Sequence, residues 1–289
     1  MKTFEQKYKP DSNGLFPACP KTSNSDMKHY WLRDNFFIWK SGYYREEIAE
    51  AFKNIVQKHR EKIEILIDKG HLDHDWEFIH PRYDENLDEV EGEWAWKQLD
   101  SLYYLRTVLF ENLYKDELDL IKKLHLTVDY DGMGASIWED GQDGFQEYDY
   151  ALLENDYFPL FYNEPNLSHL IALYERGFNK DTPIYFYNRV ERIINRVKQE
   201  LEGEYGVARY KGDKWTGEDF SANTEYQWCM GFAYLYYLTG EEKYIEKLDK
   251  IYDKFGAIPE SINPETGEAN CNTPLLWAEA LYHNIKNNQ

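Results

Sequence analysis

Apolar residues recur along most of this chain at intervals of three, four or seven positions, a spacing that places side chains on one face of an α-helix. Four segments carry the pattern most clearly, at 48–66, 99–113, 186–201 and 244–255. Thr182-Pro183 precedes the third segment and is typical of an N-cap followed by the first helical residue. Gly256 follows the fourth segment, and Gly177 and Gly240 are expected to end two further helices in a left-handed cap.

The segments between the predicted helices are rich in Gly, Asn, Asp and Pro, and strand-like alternation inside them is brief. These predicted loops are 10–27, 70–92, 128–146, 203–224 and 256–273. At the usual ~11–12 residues per helix, about ten to twelve helices and the loops account for the length. The pattern therefore predicts an all-α protein, better suited to a closed ring of helical hairpins than to a four-helix bundle. Long loops at one end of such a ring are natural places for a site.

We expect a single domain over 1–289, because this length can bury one sizeable core and no stretch has the composition of a linker. Residues 1–12 are expected to be a flexible N-terminal segment. They lack the apolar run of a signal peptide, and no later stretch approaches the ~20 apolar residues of a membrane span. The three cysteines, Cys19, Cys229 and Cys271, have no metal or redox spacing and fit buried thiols, so we expect a cytoplasmic protein.

The formal net charge is −20, which disfavours nucleic acid and anionic membrane surfaces as partners because both carry negative charge. A neutral ligand is indifferent to that charge. Aromatic residues make up 17% of the chain, with 25 Tyr and 9 Trp, and these rings must be accommodated in the core or along a binding cleft. A neutral sugar, which packs its apolar face on such rings, is therefore compatible with the composition.

Three stretches carry charged and aromatic groups suited to carbohydrate chemistry. They are Tyr30-Trp31-Leu32-Arg33-Asp34, Ser136-Ile137-Trp138-Glu139-Asp140 and Ile258-Pro259-Glu260-Ser261. Glycoside hydrolysis needs two carboxyl groups, one protonated to donate to the leaving oxygen and one ionised to accept a proton from water. A single Glu in so acidic a protein is more commonly a solvated surface charge, so the order of the surrounding motifs decides the interpretation.

That order resembles glucoamylases, glycoside hydrolase family 15, whose opening typically reads small-Pro-Ser-Thr-x-Asn-Pro-Asp and then Trp-x-Arg-Asp. Here the opening is the stretch 13–26 followed by Trp31-Leu32-Arg33-Asp34. Four further blocks are similar to the family's motifs and follow in its order: Glu93-Trp94 with Gln98 and Asp100, Ile137-Trp138-Glu139-Asp140, Gly206-Val207-Ala208-Arg209-Tyr210, and Glu260 with Gly267-Glu268 and Trp277. The resemblance spans about 13–283 and implies an (α/α)6 barrel with an inverting, exo-acting α-glucosidase activity that releases β-glucose from α-glucans or short α-glucosides.

By this resemblance Glu139 is the general acid and Glu260 the general base, roughly 6.5–9.5 Å apart so that a water molecule fits between base and sugar. Trp138 would provide apolar surroundings that raise the pKa of the acid. Arg33 and Asp34 would contact the outer hydroxyls of the terminal sugar. The remaining implied sugar contacts are aromatic walls and polar groups on the leaving side, namely Trp31, Trp94, Trp277, Asp140, Arg209 and the Ile137 carbonyl.

Three positions depart from the family pattern, and they leave the linkage open. Met27 stands where the family has a Tyr seven residues before the Asp of Trp-x-Arg-Asp, Lys97 replaces a Pro, and Asp140 replaces the second Glu of the acid motif. One alternative is the same chemistry on trehalose or isomaltooligosaccharides. Another is a non-catalytic glucan-binding or regulatory module, similar to the glucoamylase-like domain of phosphorylase kinase regulatory subunits, although the presence of both Glu139 and Glu260 argues against it.

Structural interpretations of the same residues also stand. Arg33 and Asp34 could form an ion pair that pins the first helix. Tryptophans at helical positions are most often core residues, and this applies to Trp94, Trp96, Trp228 and Trp277. His71-Leu72-Asp73-His74-Asp75 has no recognised metal-ligand spacing, so we expect no metal and no cofactor. The acidic segments at 129–132 and 139–144 do not fit an EF-hand, and weak calcium binding there is left open.

Overall fold

A computed structural model describes residues 3–74, 77–90, 100–127, 165–175, 177–182 and 184–288. Within these ranges the chain forms eleven α-helices and five strands of two residues each, so helices dominate. The chain divides into two compact units, the first comprising Met1–Ala18 and His29–Phe158 and the second Cys19–Lys28 and Pro159–Gln289. The single domain expected over 1–289 stays a prediction.

The first unit contains six of the described helices and one short antiparallel ladder. Its helices are α1 Phe4–Lys7, α2 Leu32–Lys40, α3 Arg45–Lys58, α4 Arg60–Lys69, α5 Asp100–Glu111 and α6 Lys115–Thr127, and its strands are β1 Tyr30–Trp31 and β2 Arg82–Tyr83. α2 is buried from Leu32 to Trp39, because it lies among other helices rather than against solvent. Phe36 of α2 stacks on Tyr104 of α5 with ring centroids 4.5 Å apart, which ties these two helices together.

The second unit contains five described helices and a small three-stranded sheet. The helices are α7 Leu167–Glu175, α8 Ile184–Glu200, α9 Met230–Thr239, α10 Lys243–Phe255 and α11 Leu276–Asn287, and the strands are β3 Val207–Ala208, β4 Gln227–Trp228 and β5 Ser261–Ile262. The sheet is antiparallel with the order β3-β4-β5, and Trp228 pairs with both Val207 and Ser261. The sheet therefore brings together three loops that are distant in sequence.

The helices agree with the periodicity, with one difference. The segments 99–113, 186–201 and 244–255 correspond to α5, α8 and α10, whereas 48–66 is divided between α3 and α4, with His59 between them. Gly177, Gly240 and Gly256 have φ values of 79°, 70° and 69°, which confirms the left-handed ends expected there. The longest described helix, α8, has 17 residues, and nowhere in the described ranges is a helix long and apolar enough to cross a membrane.

The N-terminal residues differ from the expected flexible segment 1–12. Thr3 and Gln6 form a reciprocal capping box at the start of α1. Phe4 is fully buried, and its ring lies 4.7 Å from that of Tyr43 and 5.8 Å from that of Phe16. The apolar contacts of Phe4 thus anchor this segment to the first unit, which a count of apolar residues over twelve positions does not reveal.

Candidate active site

Glu260 lies between α10 and β5, in the second unit, and its backbone is held on both sides. Its N–H donates to the carbonyl oxygen of Asn272 at 3.0 Å, and its own carbonyl oxygen accepts from the N–H of Cys229 at 3.3 Å. The following residue, Ser261, is paired with Trp228 in the sheet. Glu260 is 3% exposed. Glu260 is therefore a buried group at the edge of a sheet rather than a solvated surface charge.

The two carboxylate oxygens of Glu260 have different surroundings. Oε2 accepts hydrogen bonds from Asn270 Nδ2 at 2.5 Å, Asn272 Nδ2 at 2.8 Å and Trp215 Nε1 at 3.4 Å. Oε1 accepts no hydrogen bond from any described residue. Charge-assisted bonds of this kind are stronger than neutral ones, so they determine the orientation of the carboxylate. One oxygen is anchored while the other can accept a proton from a bound molecule.

Burial raises the pKa of Glu260, because the charged form loses hydration. The hydrogen bonds from Asn272 and Asn270, the positive charge of Arg209 and the indole N–H of Trp215 act in the opposite direction. The group therefore holds a proton more tightly than an ordinary glutamate, and four neighbours keep its ionised form accessible. A carboxylate with raised proton affinity and one unoccupied oxygen has the properties of a general base.

Arg209 forms a buried bidentate ion pair with Asp213. Its Nε donates to Asp213 Oδ2 and its Nη2 to Asp213 Oδ1, both at 2.7 Å. Asp213 Oδ1 also accepts the backbone N–H of Trp215 at 3.0 Å. Burial by itself lowers the pKa of Arg209, but the hydrogen bond and charge of Asp213 outweigh it, so the net change is upward. The sequence motif singled out Arg209, whereas its partner four residues later was missed.

Trp277, predicted as a pocket wall, is 3% exposed in α11. Its Nε1 donates to the hydroxyl of Tyr234 at 2.8 Å, and the two rings meet edge to face. The ring is thus covered by protein, which agrees with the alternative interpretation of Trp277 as a core residue.

The predicted sugar-contact residues of the first unit are buried in polar and aromatic contacts of their own. Arg33 Nε and Nη2 donate to Asp100 Oδ2 at 2.9 and 2.7 Å. Asp100 of α5 is thus a buried ion-pair partner of Arg33, and the contacts of Arg33 and Asp34 to a sugar stay a prediction. Burial lowers the pKa of Arg33, but Asp100 outweighs this and the net change is upward. Trp31 is 6% exposed, and the guanidinium of Arg82 lies 5.5 Å from its ring centroid.

Five of the predicted site residues fall outside the described part of the chain. They are Trp94, Ile137, Trp138, Glu139 and Asp140. In the described part, no three or more His, Cys, Asp or Glu side chains are grouped so that they could hold a metal ion.

Sequence reasoning missed the residues that hold Glu260, namely Trp215, Asn270 and Asn272. A signal for the two asparagines was present. Residues two apart in an extended segment point to the same side, so Asn270 and Asn272 can reach one carboxylate together. No comparable signal marks Trp215, because its approach to Glu260 depends on how the loop after β3 folds back.

No protein-family model matches this chain, and no curated protein sequence matches it either. Several solved structures, in contrast, are similar to this chain. Two forms of a glycosidase, each with a glutamate-to-alanine substitution, align over 96% of this chain and 92% of theirs, with a TM-score of 0.69 and identities of 15% and 16%; the second is in complex with glucose. A bacterial glucoamylase complexed with acarbose aligns over 94% of this chain and 52% of its own, with a TM-score of 0.59 and 15% identity. At these identities the similarity establishes the fold, and the predicted class is confirmed: the chain is all-α, with the glucoamylase-like toroid fold.

Proposed function

We propose that this chain is a glycoside hydrolase in which Glu260 acts as the general base. The observation that carries the proposal is the asymmetry of the Glu260 carboxylate, with three donors on Oε2 and none from the described residues on Oε1. The fold neighbours support the same conclusion, since they include glycosidases and a glucoamylase, two of them with glucose or acarbose bound. The finer proposal is an inverting, exo-acting α-glucosidase of glycoside hydrolase family 15.

In this mechanism Oε1 of Glu260 accepts a proton from a water molecule as the water oxygen attacks the anomeric carbon. Glu139, which the sequence resemblance assigns as the acid, gives its proton to the glycosidic oxygen as the carbon–oxygen bond breaks. One proton enters Glu260 and one leaves Glu139, so exchange with solvent restores both groups. Attack from the face opposite the leaving group inverts the anomeric carbon, and an α-linked substrate gives β-glucose.

The pKa of Glu260 sets one limb of the pH dependence. The base works only when ionised, and burial raises its pKa above the usual value for glutamate. Activity is therefore expected to fall as the pH decreases through that raised pKa, at a higher pH than an exposed glutamate would give. A profile of kcat/KM against pH measures the position of this limb in the uncomplexed enzyme.

The proposed sugar contacts follow the sequence resemblance as far as the site permits. We retain Trp31, Arg33 and Asp34 as contacts to the terminal sugar. We assign Arg209 to the leaving side, with Asp213 fixing its guanidinium plane. The other proposed contacts from the resemblance are Trp94, Ile137, Trp138 and Asp140, and Trp277 is not among them because its ring is covered by protein.

The test is proton NMR of the chain with maltose, maltotriose, isomaltose, isomaltotriose and trehalose, following the anomeric signals of released glucose. Initial β-glucose from an α-linked substrate supports inversion and identifies the linkage. Glu139→Gln and Glu260→Gln should each lower kcat by about 10²–10⁴-fold, the usual contribution of acid–base catalysis. Glu265→Gln, an exposed change five residues from Glu260, serves as the matched control and should retain full activity.

Two results would contradict the proposal. One is turnover in Glu260→Gln equal to that of the parent. The other is binding of these sugars without any release of glucose, which would identify a non-catalytic glucan-binding module instead.

A further inference from the structure

The segment Cys19–Lys28 belongs to the second unit although the chain on either side of it belongs to the first. Within it, Thr22 is 4% exposed and its Oγ1 donates to Asn272 Oδ1 at 2.5 Å, across 250 positions of sequence. Asn272 is fully buried and is one of the residues that donate to Glu260. A stretch near the start of the chain therefore reaches the carboxylate through one intermediate side chain.

The hydrogen bonds of Asn272 determine which end of its amide faces Glu260. Oδ1 accepts the short bond from Thr22 and a longer one from Cys271 Sγ at 3.5 Å, while Nδ2 donates to Glu260 Oε2 at 2.8 Å and to the carbonyl oxygen of Gly217 at 3.1 Å. If the amide turned over, its oxygen would face the carboxylate and its NH₂ would face the hydroxyl of Thr22. The turned-over amide would lose the bond from the hydroxyl proton to Oδ1 and would place its oxygen against two acceptors, Glu260 Oε2 and the carbonyl oxygen of Gly217, so the donation from Thr22 favours the observed orientation.

A second contact reinforces this arrangement. Asn24 Nδ2 donates to the same carbonyl oxygen of Gly217 at 2.9 Å, so Asn24 and Asn272 share one acceptor. Gly217 has a φ of 108°, and a Cβ built on it would lie 2.6 Å from Asn270 Nδ2. The loop around Gly217 is consequently packed against both asparagines that bind Glu260.

We propose that Thr22 is a positioning residue for Glu260, acting through Asn272: its hydroxyl orients the amide so that an N–H faces Oε2, which stabilises the ionised carboxylate and leaves Oε1 for the reacting water. The catalytic consequence rests on the function proposed above, whereas the effect on the carboxylate does not.

Other charged groups near Glu260 do not depend on Thr22. Arg209 contributes positive charge, and it is held in place by Asp213 and the loop after β3 rather than by Thr22 or Asn272. Trp215 donates from that same loop. A change confined to the hydroxyl of Thr22 leaves these contributions to the pKa of Glu260 in place.

Two thiols also face this region. Cys229 lies at the start of α9, where the charge of Glu260 adds to the rise in the pKa of its thiol. Cys271 lies between the two asparagines, and the charge of Glu218 adds to the rise in the pKa of its thiol. Burial raises the pKa of both thiols, so both stay neutral where Glu260 titrates. A shift in the titration of Glu260 on changing Thr22 can therefore be attributed to the hydrogen-bond chain.

The experiment measures the carboxyl pKa of Glu260 directly, by ¹³C NMR of protein labelled at glutamate Cδ, with the resonance assigned by its loss in Glu260→Gln. Thr22→Val deletes the hydroxyl and keeps the shape, Thr22→Ser restores a hydroxyl, and Asn272→Ala removes the donor itself. Thr239→Val is the matched control, since its hydroxyl bonds only within and just after α9. The pKa of Glu260 should rise in Thr22→Val and Asn272→Ala and keep its parental value in Thr22→Ser and Thr239→Val.

The activity measurement separates the two proposals. If the chain is a glycoside hydrolase, the acid limb of kcat/KM should move to higher pH in Thr22→Val, and kcat should fall roughly 10-fold or more with little change in KM. A raised pKa of Glu260 in a chain that cleaves no glycoside would support the positioning role and contradict the function. An unchanged pKa of Glu260 in Thr22→Val would overturn the positioning role of Thr22, whatever the activity and whatever the result for Asn272→Ala.

Discussion

Replacing Glu260 by Gln is expected to lower kcat by about 10²–10⁴-fold and at the same time to stabilise the protein at neutral pH. The substitution keeps the size and shape of the side chain and removes its charge. In the folded chain that charge is buried, with 3% of the residue exposed, and the burial raises the pKa of the carboxyl group. A site shaped for chemistry rather than for stability should improve in stability when the charged group is neutralised.

The magnitude follows from two opposing terms. The short bonds from Asn270 and Asn272 to Oε2 lose about 1 kcal/mol each when the acceptor becomes a neutral amide oxygen, because bonds to charged groups contribute about 1.5–3 kcal/mol and neutral ones about 0.5–1.5. The penalty for burying a carboxylate amounts to several kcal/mol after relaxation, so the Gln variant should be more stable at pH 7 by roughly 1–3 kcal/mol.

The difference must depend on pH in a defined direction. Because the pKa of Glu260 is higher in the folded protein than in the unfolded chain, the carboxyl group contributes stability below its unfolded pKa of about 4.3. That contribution is lost as the pH rises through the folded pKa. Gln does not titrate, so the advantage of the variant should be near zero at low pH and should reach its full value above the folded pKa.

Urea unfolding of parent and Glu260→Gln at several pH values between about 3.5 and 7.5 measures this dependence, and the exposed Glu265→Gln variant provides the control at each pH. A Gln variant that is less stable than the parent at pH 7, with the deficit shrinking at low pH, would refute the reasoning. That result would mean that the donors outweigh burial and that the folded pKa lies below the unfolded one.

Three further changes test other parts of the structure. Leu113 has a φ of 60° and is 75% exposed, so Leu113→Gly should raise the free energy of unfolding by roughly 0.5–1 kcal/mol in a urea titration, since it relieves left-handed strain without losing burial. Arg209→Met should lower that free energy by about 3–5 kcal/mol, because it leaves Asp213 buried without a counter-ion, and adding Asp213→Asn should recover part of the loss. Gly217→Ala should lower both the melting temperature and kcat, because the new Cβ lies 2.6 Å from Asn270 Nδ2 at a φ of 108°.

Each of these three predictions would be contradicted by a specific result. A less stable Leu113→Gly variant would show that the leucine side chain makes a contact worth more than the strain. Full stability in Arg209→Met would mean that the ion pair is dispensable. A Gly217→Ala variant with parental kcat would show that displacement of Asn270 does not change the orientation of the Glu260 carboxylate.

The helices were predictable because their signals are local. The apolar spacing of 244–255 and the glycine after it correspond to α10 and its left-handed end at Gly256. The break between α3 and α4 at His59 was not predicted, and neither was the contact of the His59 ring with the carbonyl oxygen of Leu87, 28 positions away. Helical periodicity records which face of a segment is apolar and contains no information on a distant acceptor.

For the candidate site, the sequence singled out Glu260 and Arg209 by motif order but not by their surroundings. Asp213, Trp215 and Asn272 have side chains that are common in surface loops, and nothing in their local sequence indicates burial. They became candidates only when the strands β3, β4 and β5 brought their loops together. The bond of Arg33 to Asp100, 67 positions away, likewise has no local signal in the sequence.

The sequence by itself determined the helical class of the chain, the ends of several helices and the identity of one candidate carboxylate, because these depend on side-chain spacing within one or two turns and on short motifs. Only the tertiary structure decided that Glu260 is buried, that one of its oxygens is anchored while the other accepts no bond from the described residues, and that a chain of hydrogen bonds joins it to Thr22 through Asn272. Burial and long-range hydrogen bonds depend on which segments meet in space, and the free energy of a charge depends on those neighbours rather than on its position in the chain.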